Sequence, residues 1–205
     1  MDKDLYLIRH GQSLANARIA DGFDVPLSPH GRIQAGRCGE FMADRLGSRP
    51  ARLLCSPFLR AVQTADLIAA RCELRIHLEP ALHELFLEEW IPPGRVALLP
   101  LPELATAFPR IVGSYPDGVW WPETPETKDD AAQRAACLRN RLLGREFPEE
   151  VVVCVSHYGF ISALAEAMCP GVSLSDITNA SVTHLHWDGH RCYPILRHEQ
   201  GFLKG

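Results

Sequence analysis

The chain has neither an excess of positive charge nor a long hydrophobic run. Its 205 residues carry 21 Lys and Arg against 25 Asp and Glu, a formal net charge of −4. A surface that binds nucleic acid or an anionic membrane needs a basic excess, so we expect neither partner. No apolar segment approaches the length of a signal-peptide core or a membrane span. We therefore expect a cytoplasmic protein.

Closely spaced cysteine pairs are also missing. The seven cysteines are scattered and none forms a Cys-x-x-Cys pair, the spacing common in zinc and redox sites. Cys55 and Cys154 lie in apolar strand-like runs, which suits small buried hydrophobes in a reducing compartment. His184, His186 and His190 raise a metal-binding alternative, but no Cys or carboxylate stands at ligand spacing from them. We predict no metal and no cofactor.

Size and composition indicate one globular domain covering 1–205. Hydrophobic residues make up 46% and charged residues 22% of the chain, which is ordinary for a folded domain. The segment at about 85–125 is different, because it is rich in proline and holds Trp90, Trp120 and Trp121. Long irregular segments are often lids or binding loops. We expect a lid-like insertion here, with an excursion that covers a sheet edge as the equal alternative.

Capping and turn signals divide the rest of the chain into alternating strands and helices. Ser28 before Pro29 is typical of a helix start, and Thr127 with Asp130 has the spacing of a capping pair. The first helix is expected to bury Ile33, Cys38, Phe41, Met42 and Leu46. The predicted helices end near 46, 71, 143 and 168, and the predicted strands span 5–8, 52–55, 74–78, 151–155, 181–187 and 192–196.

Two of these strands indicate how the sheet is built. Residues 151–155, Val-Val-Val-Cys-Val, are apolar without alternation, the pattern of a central parallel strand buried on both faces. The turn signal Asp188-Gly189 predicts a hairpin that closes the sheet antiparallel. The sequence therefore predicts an α/β fold, a three-layer α/β/α sandwich with a mostly parallel central sheet and an antiparallel edge.

The first strand-like run ends in Arg9-His10-Gly11. Strand ends are where α/β proteins hold ligands. An imidazole that attacks phosphorus needs positive charge close by, to hold the phosphoryl oxygens and to disfavour its own protonation. Arg9 can supply that charge, so the tripeptide is a candidate phosphoryl-transfer site.

Five motifs in order carry a family resemblance. They are Arg-His-Gly-Gln-Ser-Leu-Ala-Asn at 9–16, the run at 24–35 that contains Pro-Leu-Ser-Pro-His-Gly, Ser-Pro-Phe-Leu-Arg at 56–60, Leu-His-Glu at 82–84 and Val-Ser-His-Tyr-Gly at 155–159. This series resembles the histidine phosphatase superfamily, in the branch that includes cofactor-dependent phosphoglycerate mutases and many small phosphatases. The resemblance runs from about residue 4 to about residue 165 and implies a phosphoglycerate mutase-like fold.

The resemblance also implies a role for each matching side chain. His10 would attack phosphorus and become phosphohistidine, and Glu84 would be the proton donor. His157 would bind the phosphoryl group in flight. The positions that match phosphate-binding residues are Arg9 and Arg60, with Asn16 beside the phosphate and Gln12 as a further lining residue.

The run after Glu84 departs from the family pattern. Of the glycine and the Trp-Glu-Gly sequence common there, only Trp90 is present, so Glu88 and Glu89 are rival acids. Glu126 repeats a family position in the region before the last site strand, and we favour a structural role for it.

The leading hypothesis is a metal-independent phosphatase that acts on a small phosphorylated metabolite. A phosphoglycerate mutase is the first alternative, although the 85–125 segment offers mainly Arg95 and Arg110 in place of an Arg-rich substrate stretch. A non-catalytic module that binds phospho-ligands is the second. The sequence leaves a homodimer open, through a sheet edge or the Trp-rich segment.

Overall fold

Six strands form one sheet in the computed structural model, which describes residues 2–91, 96, 98–172, 174 and 176–204. The sheet order is β3-β2-β4-β1-β5-β6. Strands β1 to β4 pair in parallel, and β5 is antiparallel to both of its neighbours. This confirms the predicted sheet. The strands are β1 (Lys3–Arg9), β2 (Ala51–Cys55), β3 (Ile76–Leu78), β4 (Val151–Ser156), β5 (Val182–Trp187) and β6 (Cys192–Glu199).

Helices cover both faces of the sheet. Helices α1, α2 and α3 contribute to the apolar cluster on one face, and α4 and α5 to the cluster on the other. Alternate residues of β4 reach opposite faces, so that Val153 lies in the first cluster and Cys154 in the second. The three-layer sandwich is confirmed. The five α-helices of the described residues are α1 (Pro29–Leu46), α2 (Leu59–Cys72), α3 (Leu101–Ala107), α4 (Lys128–Leu143) and α5 (Tyr158–Met168).

Local capping sets the starts of α1 and α4. The Ser28 hydroxyl accepts a hydrogen bond from the Gly31 N–H, and Thr127 and Asp130 form a reciprocal capping box. The predicted apolar face of α1 is wrong at Ile33, which is 55% exposed. The helix buries Ala35 two residues further on, and two residues correspond to about 200° of rotation, so Ile33 points away from the sheet.

Residues 110–112, within the 85–125 segment, lie along the outer edge of β3. The Ile76 N–H donates to the Arg110 carbonyl and the Val112 N–H donates to the Ile76 carbonyl, both at 2.9 Å. The sequence interpretation missed α3 in this segment because of its prolines. Pro100 is the N-cap residue and another proline lies in the first turn, where the missing N–H is not needed. No helix of the described residues is long and apolar enough to cross a membrane.

Gly31 packs against the backbone of the segment that follows β1. A Cβ atom there would lie 1.9 Å from the Gln12 carbonyl oxygen, so in Gly31→Ala the first turn of α1 and the segment around Gln12 must move apart. We expect this variant to lose about 2–4 kcal/mol of unfolding free energy, measured by urea denaturation. Gly36→Ala is the matched control in the same helix, since its Cβ would meet nothing within 4 Å.

Gly36→Ala should gain about 0.5–1 kcal/mol of unfolding free energy, because alanine is the better helix former. Equal effects of the two substitutions would contradict the close packing at Gly31.

Candidate active site

The topology places the two site histidines side by side. Strands β1 and β4 are parallel neighbours in which Arg9 pairs with Ser156, so His10 and His157 follow at the same edge of the sheet. Their ring centroids are 5.1 Å apart. Arg60 reaches this edge from the first turn of α2, and its Nε donates a hydrogen bond to His10 Nε2 at 3.2 Å.

Five of the seven sequence-predicted site residues line one pocket of about 210 Å³: Arg9, His10, Asn16, Arg60 and Glu84. His157 is fully buried beside it. The seventh, Gln12, is not among the pocket-lining residues. Its Oε1 atom accepts a hydrogen bond from the Ser28 hydroxyl at 2.8 Å, which ties it to the start of α1.

The contacts of His10 fix its tautomer. The Gly11 carbonyl oxygen lies 2.7 Å from Nδ1, and a carbonyl can only accept, so the ring proton is on Nδ1. The Nε2 lone pair therefore faces Arg60. Burial, with the charges of Arg60 and Arg9, lowers the pKa of His10 well below its ordinary value. The imidazole is neutral at physiological pH, which is the state that a nucleophile requires.

Backbone carbonyls anchor both guanidinium groups of the pocket. Arg9 Nη1 donates to the Ile177 carbonyl at 2.7 Å, and Arg60 Nη1 donates to the Phe23 carbonyl at 3.0 Å. The Arg60 guanidinium also lies 4.4 Å from the Phe58 ring centroid. Two guanidinium groups held in this way suit the bidentate binding of a phosphoryl group.

His157 is held by a single hydroxyl. Its Nε2 atom lies 2.8 Å from Ser56 Oγ, and its buried Nδ1 atom has no hydrogen-bond partner among the described residues. Burial and the Arg60 charge lower the pKa of His157 well below its ordinary value. A neutral ring with one free nitrogen can still offer one hydrogen bond to an oxyanion.

The Glu84 carboxylate lies at the N-terminus of α5. Its Oε1 atom accepts hydrogen bonds from the N–H groups of Leu85 and Phe160, at 3.0 and 3.1 Å. Burial raises the pKa of Glu84, although these N–H groups and Arg60 oppose the rise. Glu88 and Glu89 are exposed and do not line the pocket. Of the three candidate acids, Glu84 is therefore the one that lines the pocket among the described residues.

An ion pair outside the pocket holds the segment that carries Glu84. Arg134 Nη1 donates to the carbonyls of Ala81 and His83, at 2.8 and 3.0 Å. Its Nη2 atom donates to Glu126 at 2.6 Å, and Glu126 in turn accepts from the Phe86 N–H at 2.9 Å. The pair therefore fixes the backbone on both sides of Glu84.

Asp24 is a site residue that the sequence interpretation missed. Its Oδ1 atom accepts from the Leu59 N–H at 2.8 Å and lies 3.7 Å from Arg60 Nη1. It thus caps α2, whose own N-cap residue Phe58 makes no side-chain cap. Burial raises the pKa of Asp24 to about 6, against the effects of Arg60 and the Leu59 N–H. A cap supplied from a distant loop leaves no local sequence signal.

We expect Asp24→Asn to lower kcat/KM about tenfold at neutral pH, because a displaced guanidinium binds the phosphoryl group less well. Above about pH 6 Asp24 is ionised and pairs with Arg60, whereas below it the carboxyl is protonated and the pair weakens. The ratio of wild-type to variant kcat/KM should therefore fall towards one as the pH is lowered through 6. Asp21→Asn, in the same loop and exposed, is the matched control. A ratio that does not change with pH would contradict this role.

His184 and His186 lie at the opposite end of the sheet, where both contact Asp4. His184 Nε2 and His186 Nδ1 are each 2.9 Å from Asp4 Oδ1. Burial opposes ionisation of Asp4, but hydrogen bonds from His186, His184 and Arg49 lower its pKa to about 2. In the part of the chain that the structure describes, no group of three or more His, Cys, Asp or Glu could hold a metal ion. Asp4 is therefore the structural partner of both His184 and His186.

A family model described as the histidine phosphatase superfamily (branch 1) matches residues 5–199. The chain belongs to this superfamily. The predicted family is confirmed. Together with the phosphatases described next, it also confirms the predicted enzyme class, a phosphoric monoester hydrolase. The match covers every motif from Arg9 to Gly159 on which the resemblance was based.

Relatives of this histidine phosphatase support the same class. This chain is 30% identical over 199 residues to a glucosyl-3-phosphoglycerate phosphatase of Mycobacterium tuberculosis. The alignment covers 89% of this chain and 86% of the relative. The chain is 31% identical over 173 residues to the protein of that name from Mycolicibacterium vanbaalenii, over 80% of this chain and 73% of the relative. The solved structure of a mycobacterial glucosyl-3-phosphoglycerate phosphatase complexed with VO3 matches with a TM-score of 0.69 and 25% identity, over 97% of this chain and 100% of that one.

Proposed function

We propose that this histidine phosphatase hydrolyses small phosphomonoesters without a metal ion, through a phosphohistidine on His10. The observation that carries the proposal is the neutral imidazole of His10, whose Nε2 lone pair meets Arg60 in a pocket shared with Arg9 and Glu84. Nucleophile, phosphate-binding cations and proton donor thus surround one small space.

In the first step, the Nε2 lone pair of His10 forms a bond to phosphorus and the ester P–O bond breaks. Glu84 gives its proton to the leaving alkoxide. The raised pKa of Glu84 suits this role, since a larger fraction of the carboxyl stays protonated. Arg60 Nε loses its bond to Nε2 as the N–P bond forms, and it can then donate to a phosphoryl oxygen.

Four side chains would hold the phosphoryl oxygens during transfer. Arg9 and Arg60 supply charge and paired N–H donors. A Ser56 hydroxyl that donates to His157 Nε2 leaves the ring proton of His157 on Nδ1, where it can bind an oxygen. Asn16, which lines the pocket, is the fourth. Gln12 would support the pocket indirectly, through its bond to Ser28.

In the second step, the Glu84 carboxylate accepts a proton from water. The water oxygen forms a bond to phosphorus, the N–P bond breaks, and His10 returns to its neutral form. Inorganic phosphate then leaves and Glu84 is protonated again. One carboxyl group can serve as acid and then as base when its pKa lies near the working pH.

The test is to trap the intermediate during turnover of p-nitrophenyl phosphate. Steady hydrolysis, with acid-labile phosphate found on His10 by mass spectrometry of the rapidly quenched protein, would support the proposal. Hydrolysis with phosphate on no residue, or on another one, would overturn it. Rapid conversion of 3-phosphoglycerate to 2-phosphoglycerate with catalytic 2,3-bisphosphoglycerate would indicate a mutase instead. Phosphate binding without turnover between about pH 5 and 8 would indicate a binding module.

Residues 1–205 would form one domain, in which the 85–125 segment acts as a lid. A cytoplasmic location suits the seven cysteines of the chain, all of which are free thiols in the structure. The partners would be small phosphorylated metabolites, with no nucleic acid or membrane, since the net charge is −4. The outer edge of β6, which pairs with no further strand among the described residues, would be the surface for a second copy in a homodimer.

A further inference from the structure

The segment between α5 and β5 packs against the end of the strand that carries the nucleophile. The Ala180 N–H donates to the carbonyls of both Arg9 and His10, at 3.0 and 3.1 Å, and the Arg9 N–H donates to the Ser181 carbonyl at 3.2 Å. Ala180 is fully buried and adopts a φ of 58°, in the left-handed region that residues other than glycine rarely occupy. Such a conformation persists where the surrounding contacts fix it. The segment is therefore closely fixed beside the phosphate pocket.

Asn179 links this segment to the phosphate pocket. Its Nδ2 atom donates to the His10 carbonyl at 3.1 Å and to Asn16 Oδ1 at 3.2 Å. A carbonyl oxygen can only accept, so the atom that faces His10 must be the nitrogen of the Asn179 amide. One side-chain amide thus contacts both the backbone of the nucleophile and Asn16, a lining residue of the pocket.

The contacts of Asn16 fix the orientation of its own amide group. Its Oδ1 atom accepts from the Ser13 N–H at 3.3 Å as well as from Asn179. A backbone N–H can only donate, so the atom on this side must be the amide oxygen. The Nδ2 atom is the other arm of the amide, and among the described residues none accepts a hydrogen bond from it. Its N–H groups are therefore the donors that Asn16 can offer to a phosphoryl oxygen.

Without Asn179, the Asn16 amide would be held weakly. The bond from the Ser13 N–H, at 3.3 Å, is longer than most N–H···O bonds, and Asn16 is an exposed residue. An amide turned by about 180° would present its oxygen, an acceptor, to the phosphoryl oxygens and would repel them. The bond from Asn179 gives Oδ1 a second donor and so opposes this turn.

We propose that Asn179 is a positioning residue of the phosphate site, which holds the Asn16 amide so that its Nδ2 atom donates to the phosphoryl group. The inference rests on the proposed function, which places Asn16 among the side chains that bind the phosphoryl oxygens. Asn179 acts through Asn16 and not through the nucleophile. When Asn179 is truncated, the His10 carbonyl keeps its bond from the Ala180 N–H.

The test is a double-mutant cycle of Asn16→Ala and Asn179→Ala, in which calorimetry of the full chain measures the Kd for inorganic phosphate. Asn16→Ala should weaken binding about tenfold, because a hydrogen bond to a charged group is lost. Asn179→Ala should weaken it about three- to tenfold, and the double variant should lie within about twofold of Asn16→Ala, since both substitutions break one contact. Effects that multiply, or an unchanged Kd in either single variant, would overturn the inference.

Thr178→Ala is the matched control in the same segment. The Thr178 hydroxyl donates to Gln200 Oε1 at 2.8 Å, so its removal loosens the segment without removing a contact of Asn16. The Kd for phosphate should stay within about twofold of the wild-type value. A loss equal to that in Asn179→Ala would overturn the inference, because loosening of the segment would then explain both results.

Nuclear magnetic resonance can observe the Asn16 amide in the wild-type chain, so it decides the question if Asn179→Ala does not fold. The side-chain NH2 signal of Asn16, identified by its absence from Asn16→Ala, should move on addition of phosphate. It should move less in Asn179→Ala. A signal that does not move in the wild type would overturn the inference.

Phosphate binding needs no turnover, which separates this inference from the proposed function. Independent effects of Asn16→Ala and Asn179→Ala, with phosphohistidine trapped on His10, would overturn the inference alone. Coupled effects without phosphohistidine would support the inference and overturn the proposed chemistry.

Discussion

Replacing His10 with alanine is expected to lower kcat by about 10⁴- to 10⁶-fold, down to the background of the assay. The reason is chemical, because His10 is the one described lining residue of the pocket with an uncharged imidazole, and its Nε2 lone pair meets the phosphate-binding Arg60. His157 is also neutral, but it lies 5.1 Å from His10 between ring centroids and is fully buried. The measurement is steady-state hydrolysis of p-nitrophenyl phosphate.

Binding should survive this substitution. His10→Ala removes the bond from Arg60 Nε to the imidazole, but backbone carbonyls still anchor both Arg9 and Arg60, so inorganic phosphate should still bind to the variant in calorimetry. His190→Ala is the matched control, since its imidazole is exposed in the β5–β6 turn at the far end of the sheet. Turnover by His10→Ala above a tenth of the wild-type rate would refute the nucleophile assignment.

Glu84→Gln should lower kcat by about 10²- to 10⁴-fold for alkyl phosphates, the usual contribution of a well-placed general acid. The amide keeps the shape of the side chain but cannot supply a proton to the alkoxide. With p-nitrophenyl phosphate the leaving group needs no such help, so His10 should still be phosphorylated rapidly. Hydrolysis of the phosphohistidine then lacks its base and becomes slow. Stopped-flow traces should therefore show a burst of p-nitrophenol followed by slow turnover.

Glu88→Gln is the control for this prediction. Glu88 is exposed, outside the pocket and only four residues away in sequence, so its substitution should leave both phases unchanged. A loss of activity in Glu88→Gln together with normal turnover in Glu84→Gln would reassign the acid.

Much of the fold could be predicted because it depends on local chemistry. The caps at Ser28 and Thr127 involve residues three positions apart, and both are present. The run at 151–155 lacks polar residues because β4 is covered on both faces. The hairpin after Trp187 follows from Asp188-Gly189, where Gly189 adopts a φ of 92° and Asp188 Oδ1 accepts from the following N–H groups.

The features that the sequence interpretation missed depend on contacts between distant segments. Asp24 reaches α2 across 35 positions of sequence, and no periodic pattern reports such a cap. Gln12 was expected as a further lining residue of the phosphate pocket, yet its Oε1 atom accepts a hydrogen bond from the Ser28 hydroxyl. Helix α3 starts at prolines, which usually indicate a loop. In each case tertiary packing decided between conformations that the local sequence allows.

Insertion of β4 between β1 and β2 has a consequence for synthesis of the chain on the ribosome. The nucleophile follows the first strand made, but the strand that brings His157 beside it is made much later. Until β4 has emerged, β1 and β2 have no common neighbour, and the nascent polypeptide exposes their apolar faces. Catalytic competence should therefore arise abruptly, only in ribosome-bound chains that are long enough for residue 157 and also Ile177, whose carbonyl anchors Arg9, to have left the exit tunnel.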